Sequence, residues 1–568
     1  MHKFGDNMRF NEIKNREQLA DFLKIKKSSL SYILYKLDPE KKYHSFQIPK
    51  KNGEMRNIDS PTNMLKDIQK RLSFALNTYY DNVCKENDIK RNVSTAFEKK
   101  KGIYDNARRH VNKKYVVSVD IKNFFPSFNF GRILNYFQKN KYFCLPYNVA
   151  VCISQLVCYN GYLPQGAPTS PLISNLIFQI VDSHIIKIAK EYKLTYTRYA
   201  DDLTFSTNNR NFSNRLDSFI KQLTSQLQKD GFEINPLKTR ISYCNSKQKV
   251  TGLVVNKKVS IDSDYNSKLR GMLHRLYCTG KIIENDKEFT PSLNVLEGKL
   301  SYIDWIEKIN NSKSKQKGEK KTIHDFYHLT KREKEVQKFL FYKYFIANKQ
   351  PVLITEGKTD ILYIKAALKK FYQDYPSLIE KKGERYIYKI SFFKRKKKMA
   401  YFWNMSEGAD GISNLYKNCF SDSELAKYFE KCKCYSKHAT IMLFDNEEKN
   451  DKPLKKMLNT LKLTDEELAK FKSAFYCQVR GNYKTLYLAT VPKFNESKNI
   501  EIENLFDNET LSIEIDGRKF SKKDEDIENF YNKDIFSRYI FNNYTKINFD
   551  KFRPLLDYIN NICFGKNT

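Results

Sequence analysis

The chain has 568 residues, room for two to four domains, and a formal net charge of +36. That excess points to a polyanionic partner, most simply nucleic acid, and the 38 tyrosines and 40 phenylalanines supply rings that fill cores and can stack on unpaired bases. The start has no secretory pattern, no apolar run reaches the roughly 18 residues of a membrane helix, and the 11 scattered cysteines give no disulfide framework, so a cytoplasmic, reducing setting without a membrane partner is expected.

Residues 1 to about 45 read as helices, from the spacing of Leu19, Phe22, Leu23, Leu30, Ile33 and Leu34. Two strand-like pieces between Phe46 and Ile58 flank Lys50-Lys51-Asn52-Gly53, a hairpin turn. Lys51 and Arg56 make this either a solvated basic turn or a grip on template backbone or nucleoside triphosphate. Asn106-Ala107-Arg108-Arg109-His110 reads as a helix end. Residues 115–121 form a near-continuous apolar run, a buried strand with Asp120 at its edge, stopped by Phe124-Phe125-Pro126. Residues 163–171 read as a turn that feeds a helix, with Thr169 or Ser170 as N-cap and an apolar face from Leu172 to Ile186.

In residues 194–206, runs rich in aromatic and β-branched residues flank Tyr199-Ala200-Asp201-Asp202. This predicts a β-hairpin with two acids at its tip. Adjacent carboxylates repel unless cations neutralise them, and paired magnesium ions on carboxylates serve phosphoryl transfer. A polar turn is the alternative. Asp120 can lie beside the tip and complete a three-carboxylate site.

Asp120 with Phe124-Phe125, Pro164-Gln165-Gly166 and Tyr199-Ala200-Asp201-Asp202 resemble, in the same order, the palm motifs of reverse transcriptases. The resemblance implies that Asp120, Asp201 and Asp202 hold two magnesium ions. By it Phe125 packs under the deoxyribose, Gln165 lies beside the incoming deoxynucleoside triphosphate, and the hairpin with Lys51 and Arg56 belongs to the fingers. Lys238 matches a lysine that protonates the leaving pyrophosphate or merely neutralises it. Asn106-Ala-x-x-His110, upstream of the first motif, and Val250-Thr251-Gly252, past the hairpin, resemble two signatures of retron reverse transcriptases. They imply recognition of a dedicated noncoding RNA that is template and primer in one. They also imply initiation from a 2′-hydroxyl of that RNA, giving a branched RNA–DNA product, msDNA. Helices over about 265–308 are the expected thumb, with Arg270, Arg275 and Lys299 as phosphate contacts.

Residues 310–321 are polar and without periodicity, a linker, and a helical piece follows at about 329–347. Then the composition resets. Residues 351–357 form a short apolar strand ending in Glu356-Gly357, followed by a helix. Residues 440–448 form a buried strand ending in Asp445-Asn446-Glu447. Acids at the carboxyl ends of strands, each followed by a helix, fit a parallel α/β sheet with a site at that edge. This part resembles a TOPRIM domain, the metal-dependent module of topoisomerases, primases and overcoming-lysogenization-defect nucleases. The resemblance makes Glu356 a general acid or base and Asp445 with Glu447 the ligands of one or two magnesium ions; the family usually shows Asp-x-Asp. Asp360 and Glu503 are auxiliary candidates. The alternative is an α/β fold whose edge acids do no chemistry. The basic run 392–398 defaults to a solvated face, residues 406–411 to a loop, and Cys432-x-Cys434 has no matching partner pair to make a zinc site.

The expected architecture is an α+β right-hand polymerase of fingers, palm and thumb, followed by an α/β TOPRIM-like domain with a parallel sheet. The expected divisions are fingers and palm at about 1–255, thumb at 256–308, linker and helix at 309–348, and the TOPRIM-like domain with a helical extension at 349–568. The function implied is an RNA-directed DNA polymerase that makes msDNA, joined to a nuclease acting on host RNA or DNA in bacterial antiphage defence. Self-association is left open. A mobile-element reverse transcriptase of the group II intron kind, or a non-catalytic nucleic-acid-binding scaffold, are the other readings.

Overall fold

Strand pairing and helix packing divide the chain into two units, Met1–Ser263 and Asp264–Thr568. The structure, a computed structural model, describes residues 8–50, 53–314, 329–406, 408–447, 452–479, 483–494, 499–521 and 528–565.

In the first unit, β1 (Tyr43–Pro49) and β2 (Met55–Pro61) pair antiparallel, from Tyr43 opposite Pro61 to Pro49 opposite Met55. Gly53 closes the turn with φ +85, where a residue lacking Cβ meets no steric penalty. A four-stranded antiparallel sheet follows in the order β4-β5-β3-β6: β3 is Tyr115–Lys122, β4 Thr195–Tyr199, β5 Asp202–Thr207 and β6 Glu233–Tyr243. Its register puts Asp120 opposite Asp202 on one side and Asn235 on the other. A bulge between Ser118 and Asp120 shifts the register there, a device that re-aims side chains beside sites.

The helix Ser170–Glu191 lies in the core through Ile173, Leu176, Ile177, Phe178, Val181, Ile185 and Ile188. By length and composition it could cross a membrane, contrary to the expectation that no segment qualifies. Its apolar window is 67% buried, which is how a core helix passes the same test. Thr169 stands at the N-cap position without a side-chain cap bond, and the Ser170 hydroxyl donates instead to the carbonyl of Pro164 at 2.7 Å.

One polar contact in this core is unusual. Arg198 of β4 is fully buried and reaches the equally buried Asp182 of that helix, Nε to Oδ1 at 3.0 Å and Nη2 to Oδ2 at 2.9 Å. Its guanidinium also donates to Asn175 Oδ1 at 3.0 Å and lies 4.6 Å over the ring of Phe178. The strand carrying the acidic turn is thereby tied to the helix behind it by a charge pair that has no water to fall back on.

The second unit differs from the expected division. The thumb helices, Ser263–Thr279 and Leu293–Ser314, group with the C-terminal residues rather than with the palm. The reason is aromatic packing: Tyr277, fully buried, has ring centroids 5.1 Å from Tyr342 and 5.2 Å from Phe429. The helix also runs into the segment expected as linker, whose remainder from 315 lies outside the described residues. Beyond it comes a five-stranded sheet in the order β8-β7-β9-β11-β10, with β7 at Val352–Ile354, β8 at Ser391–Phe392, β9 at Thr440–Phe444, β10 at Tyr476–Gln478 and β11 at Leu486–Thr490. The first four in that order run parallel and β10 is an antiparallel edge. β7 and β9 are neighbours, so the residues just past their carboxyl ends share one edge of the sheet. The helices Lys358–Lys370, Lys533–Asn542 and Arg553–Phe564 contribute to its core.

Removing one partner of a buried pair strands the other charge in the core. Asp182→Ala is therefore expected to lower the stability of the first unit by about 3–5 kcal/mol, read as a shift of the denaturant midpoint, whereas Glu191→Ala on the solvent side of the same helix leaves it nearly unchanged.

Candidate functional site

The turn between β4 and β5 consists of Ala200 and Asp201. Ala200 takes φ +56, a left-handed conformation that costs a non-glycine residue free energy and is found where surrounding structure imposes it. Arg198 helps impose it by donating from Nη1 to the Ala200 carbonyl at 3.3 Å. The Ile121 amide donates to the carbonyl of Asp201 at 3.1 Å, pinning the tip against β3. Two of the three acids foreseen from the sequence, Asp120 and Asp202, face each other across the ladder, and Asp201 lies in the turn next to Asp202.

Their electrostatics follow. Asp202 is pushed up to about 6, by desolvation first and then by the charges of Asp201 and Asp120. Asp201 is raised as well, by burial first, with Asp120 adding and Lys238 and Arg56 opposing. Lys238 of β6 donates to both carboxylate oxygens of Asp120 at 3.0 Å each. A cluster of hard oxygen donors, uncomfortable when all are charged and held by backbone rather than by each other, suits magnesium. Asp120, Asp201 and Asp202 fit that group.

Asp120 and Asp201 border a cleft of about 840 Å³ lined also by Lys238, Phe125, Gln165 and Arg56, among others. Of the expected palm and fingers residues, Asp202 is exposed and not part of that lining, and Lys51 lies outside the described residues. Phe125 is partly buried, edge-on to Phe124 at 5.4 Å. The Gln165 carbonyl accepts the Asp59 amide at 2.8 Å, and Gly166 has φ +131 with a Cβ position 2.8 Å from the Asp59 carbonyl. No other residue fits there, so the Pro164-Gln165-Gly166 turn is glycine-dependent because β2 passes against it. Sequence reasoning missed Phe97, a half-exposed ring at φ +60 in the same lining, and Asn235, paired with Asp120. An isolated phenylalanine in a loop carries no sequence signal.

The two retron-like signatures sit elsewhere than expected. Asn106 and His110 are fully buried and Val250 is 1% exposed, so none of them can touch RNA in this conformation. His110 Nδ1 lies 2.7 Å from Ser206 Oγ and its Nε2 2.6 Å from Thr197 Oγ1, bridging β5 and β4, and the Thr197 hydroxyl bonds Asn106 Oδ1. Burial, with Lys113 and Arg109 adding, lowers His110 to about 3 and keeps it neutral. The Thr251 hydroxyl donates to the Ile103 carbonyl at 3.3 Å, and Thr251 (φ +46) and Gly252 (φ +82) form a tight turn. The first segment braces the two strands of the acidic hairpin on the face that Asp202 shares with Thr197 and Ser206, and the second is tied to the helix Ile103–Ala107. The expected phosphate contacts Arg275 and Lys299 pair with Glu288 (2.7 Å) and Glu284 (3.0 Å).

The second unit gathers its own acids. Glu356, just past β7, accepts the Asp445 amide at 2.9 Å, and Asp445, just past β9, accepts the Ile502 amide on Oδ1 at 3.0 Å. Asp360 accepts the Gly357 amide at 2.8 Å and so caps the helix Lys358–Lys370. Burial first, then Asp360 and Glu447, raise Glu356 to about 7; burial and Glu503 raise Asp360 to about 6; burial and Glu356 lift Asp445 well above the carboxylate range. Glu447 is paired with Lys452 at 2.7 Å and the buried Glu503 with Lys533 at 3.2 Å. This donor set also fits magnesium, with Glu356 and Asp445 facing it least neutralised. Arg395, from the run expected as a solvated face, instead donates to the carbonyls of Thr355, Ser406 and Gly408 at 2.7, 3.1 and 2.8 Å. It ties Ser406 and Gly408 to the strand end before Glu356.

Comparison with known proteins agrees with the first cleft. A family model described as reverse transcriptase (RNA-dependent DNA polymerase) matches residues 48–260. The chain is 32% identical over 269 residues to Retron Ec86 reverse transcriptase of Escherichia coli, covering 46% of this chain and 78% of that protein. It is 31% identical over 254 residues to Retron Mx65 reverse transcriptase of Myxococcus xanthus, with 41% and 56% covered. It is 28% identical over 285 residues to Retron Ec83 reverse transcriptase of Escherichia coli, with 48% and 86% covered.

Asp202 titrates near 6 when folded and near 3.9 when unfolded, so the folded chain binds more protons between those values and loses stability as pH rises through that window. In chelator, the melting temperature of wild type should fall more steeply from pH 4 to pH 6 than that of Asp202→Asn, and added magnesium should reverse the difference at pH 7.

Proposed function

The chain belongs to the retron reverse transcriptase family and is an RNA-directed DNA polymerase, and on that premise we propose that it copies a dedicated noncoding RNA into branched RNA–DNA while its C-terminal unit serves as a metal-dependent nuclease. The observation that carries the first half is the register that sets Asp120 opposite Asp202, next to the turn residue Asp201, with Asp120 and Asp201 lining an 840 Å³ cleft. Bound at these carboxylates, two magnesium ions would lower the cost of deprotonating the attacking hydroxyl and of releasing pyrophosphate.

The chain's own residues supply the rest. Arg56 and Lys238 bring positive charge to the cleft wall where triphosphate oxygens would lie. Phe125 presents a ring edge where a sugar would rest, and a 2′-hydroxyl there would lose its hydration without gaining a partner. Gln165 stands beside it with its backbone held by β2. The partners are the cognate noncoding RNA, its msDNA product and deoxynucleoside triphosphates, in a bacterial cytoplasm.

For the second half, Glu356 poised at about 7 is suited to move a proton near neutrality, with Asp445 and Glu447 holding one or two magnesium ions. Such a unit would cleave host RNA or DNA when the msDNA no longer restrains it, an antiphage device.

Polymerisation on a primed RNA template should drop at least about a hundredfold in Asp120→Asn and Asp201→Asn with the fold intact; a wild type inactive on every template, including RNA copurified from its host, would support the scaffold reading. Sequencing that copurified nucleic acid separates a retron RNA from an intron. Expressed without its RNA, the wild type should arrest growth and Glu356→Ala should not, while both still extend primers; toxicity unchanged in Glu356→Ala would refute the nuclease.

A further inference from the structure

Cys432-x-Cys434 lacks a partner pair in the linear sequence, and the fold supplies one. The helix Ser263–Thr279 carries His274 and Cys278 one turn apart, on the same face. Cys432 caps the helix Glu424–Lys431, and Lys433, at φ +51, turns the chain before Cys434. One donor atom each from His274, Cys278 and Cys432 lies within 4.8 Å of the others. No other such group of histidine, cysteine or acidic side chains occurs among the described residues. His274 Nε2 is 3.8 Å from Cys278 Sγ, close to the edge of about 3.6 Å expected between nitrogen and sulfur on a tetrahedral zinc.

The surroundings match a metal ligand set. His274 Nδ1 is 3.0 Å from the Tyr428 hydroxyl, which fixes the ring so that Nε2 points at the sulfurs. Metal-bound histidines are oriented by their other nitrogen in this way. Lys338 lies 4.0 Å over the Tyr428 ring and pairs with Glu335 at 3.0 Å, so its charge is already engaged. Thiol and imidazole donors select zinc over the hard cations that suit the carboxylate clusters.

We propose that His274, Cys278 and Cys432 bind one zinc ion, with a water at the fourth position. The ion would clasp the helix Ser263–Thr279 to the turn after Glu424–Lys431, within the second unit and apart from both acid clusters.

The full chain, purified without a polyhistidine tag from zinc-supplied cells, should hold about one zinc per chain by elemental mass spectrometry. Replaced by cobalt, the metal should give the strong near-ultraviolet absorption of a thiolate ligand, a signal that magnesium sites of oxygen donors cannot produce. Both should vanish in Cys278→Ser with Cys432→Ser, and chelator should lower the melting temperature of wild type but not of that variant. Wild type without zinc and without the cobalt band overturns the proposal. So does an intact mass lighter by the two hydrogens of a Cys278–Cys432 disulfide. Both readings are made on wild type, so they stand even if the variant fails to fold.

Discussion

The repulsion between Asp120, Asp201 and Asp202 is the constraint on which the first unit is built. Like charges opposite one another in an antiparallel ladder destabilise it, yet the register of β3 and β5 places Asp120 against Asp202. Lys238 offsets part of that charge through Asp120, and backbone does the holding: the Ile121 amide on the Asp201 carbonyl, the left-handed Ala200, and the ladders on both sides of β3. The buried Arg198–Asp182 pair keeps β4 from yielding to that repulsion by tying it to the helix behind. A fold that keeps three carboxylates close against their own charge has made a place that cations complete.

The same logic explains the polar residues farther along the hairpin. Thr197 and Ser206 share the face of the sheet that carries Asp202 but are buried, where unsatisfied hydroxyls are costly. A neutral histidine can accept from one and donate to the other, and Asn106 completes the chain of bonds. His110 is neutral because burial forbids its charge, so this brace does not titrate in the physiological range. A motif that looks like a recognition signature in one dimension is, in three, part of what aligns the hairpin.

Local chemistry was legible and long-range chemistry was not. Alternating and apolar runs marked the strands at 115–122, 195–207 and 440–444, and paired acids marked the tip, because strand period and turn chemistry are written in neighbouring residues. Gly166 was readable as a turn, but its need for glycine comes from Asp59, more than a hundred residues earlier. The burial of Asn106 and His110, the reach of Lys238 to Asp120, and the use of Arg395 on three carbonyls all depend on distant segments that no local pattern names. The division after Ser263 was hidden for the same reason: Tyr277 looks like any helical aromatic until Tyr342 and Phe429 pack on it.

The two acid clusters are built alike and neutralised differently. Each places carboxylates at strand ends, where backbone amides can hold them without cancelling their charge. In the first, Lys238 sits on Asp120 through both oxygens, so a cation entering there must displace an ammonium or share the carboxylate with it. In the second, the lysines stand on the rim: Lys452 on Glu447 and Lys533 on Glu503. Glu356 and Asp445 have backbone amides as partners, and both are driven toward the protonated form, Glu356 by burial with Asp360 and Glu447, Asp445 by burial with Glu356. Amide donors stabilise a carboxylate without filling its charge, whereas an ammonium fills it. The second cluster therefore holds its central acids in readiness for a cation and a proton. The glutamate of Asp445-Asn446-Glu447, with its longer arm already turned to Lys452, contributes from the edge.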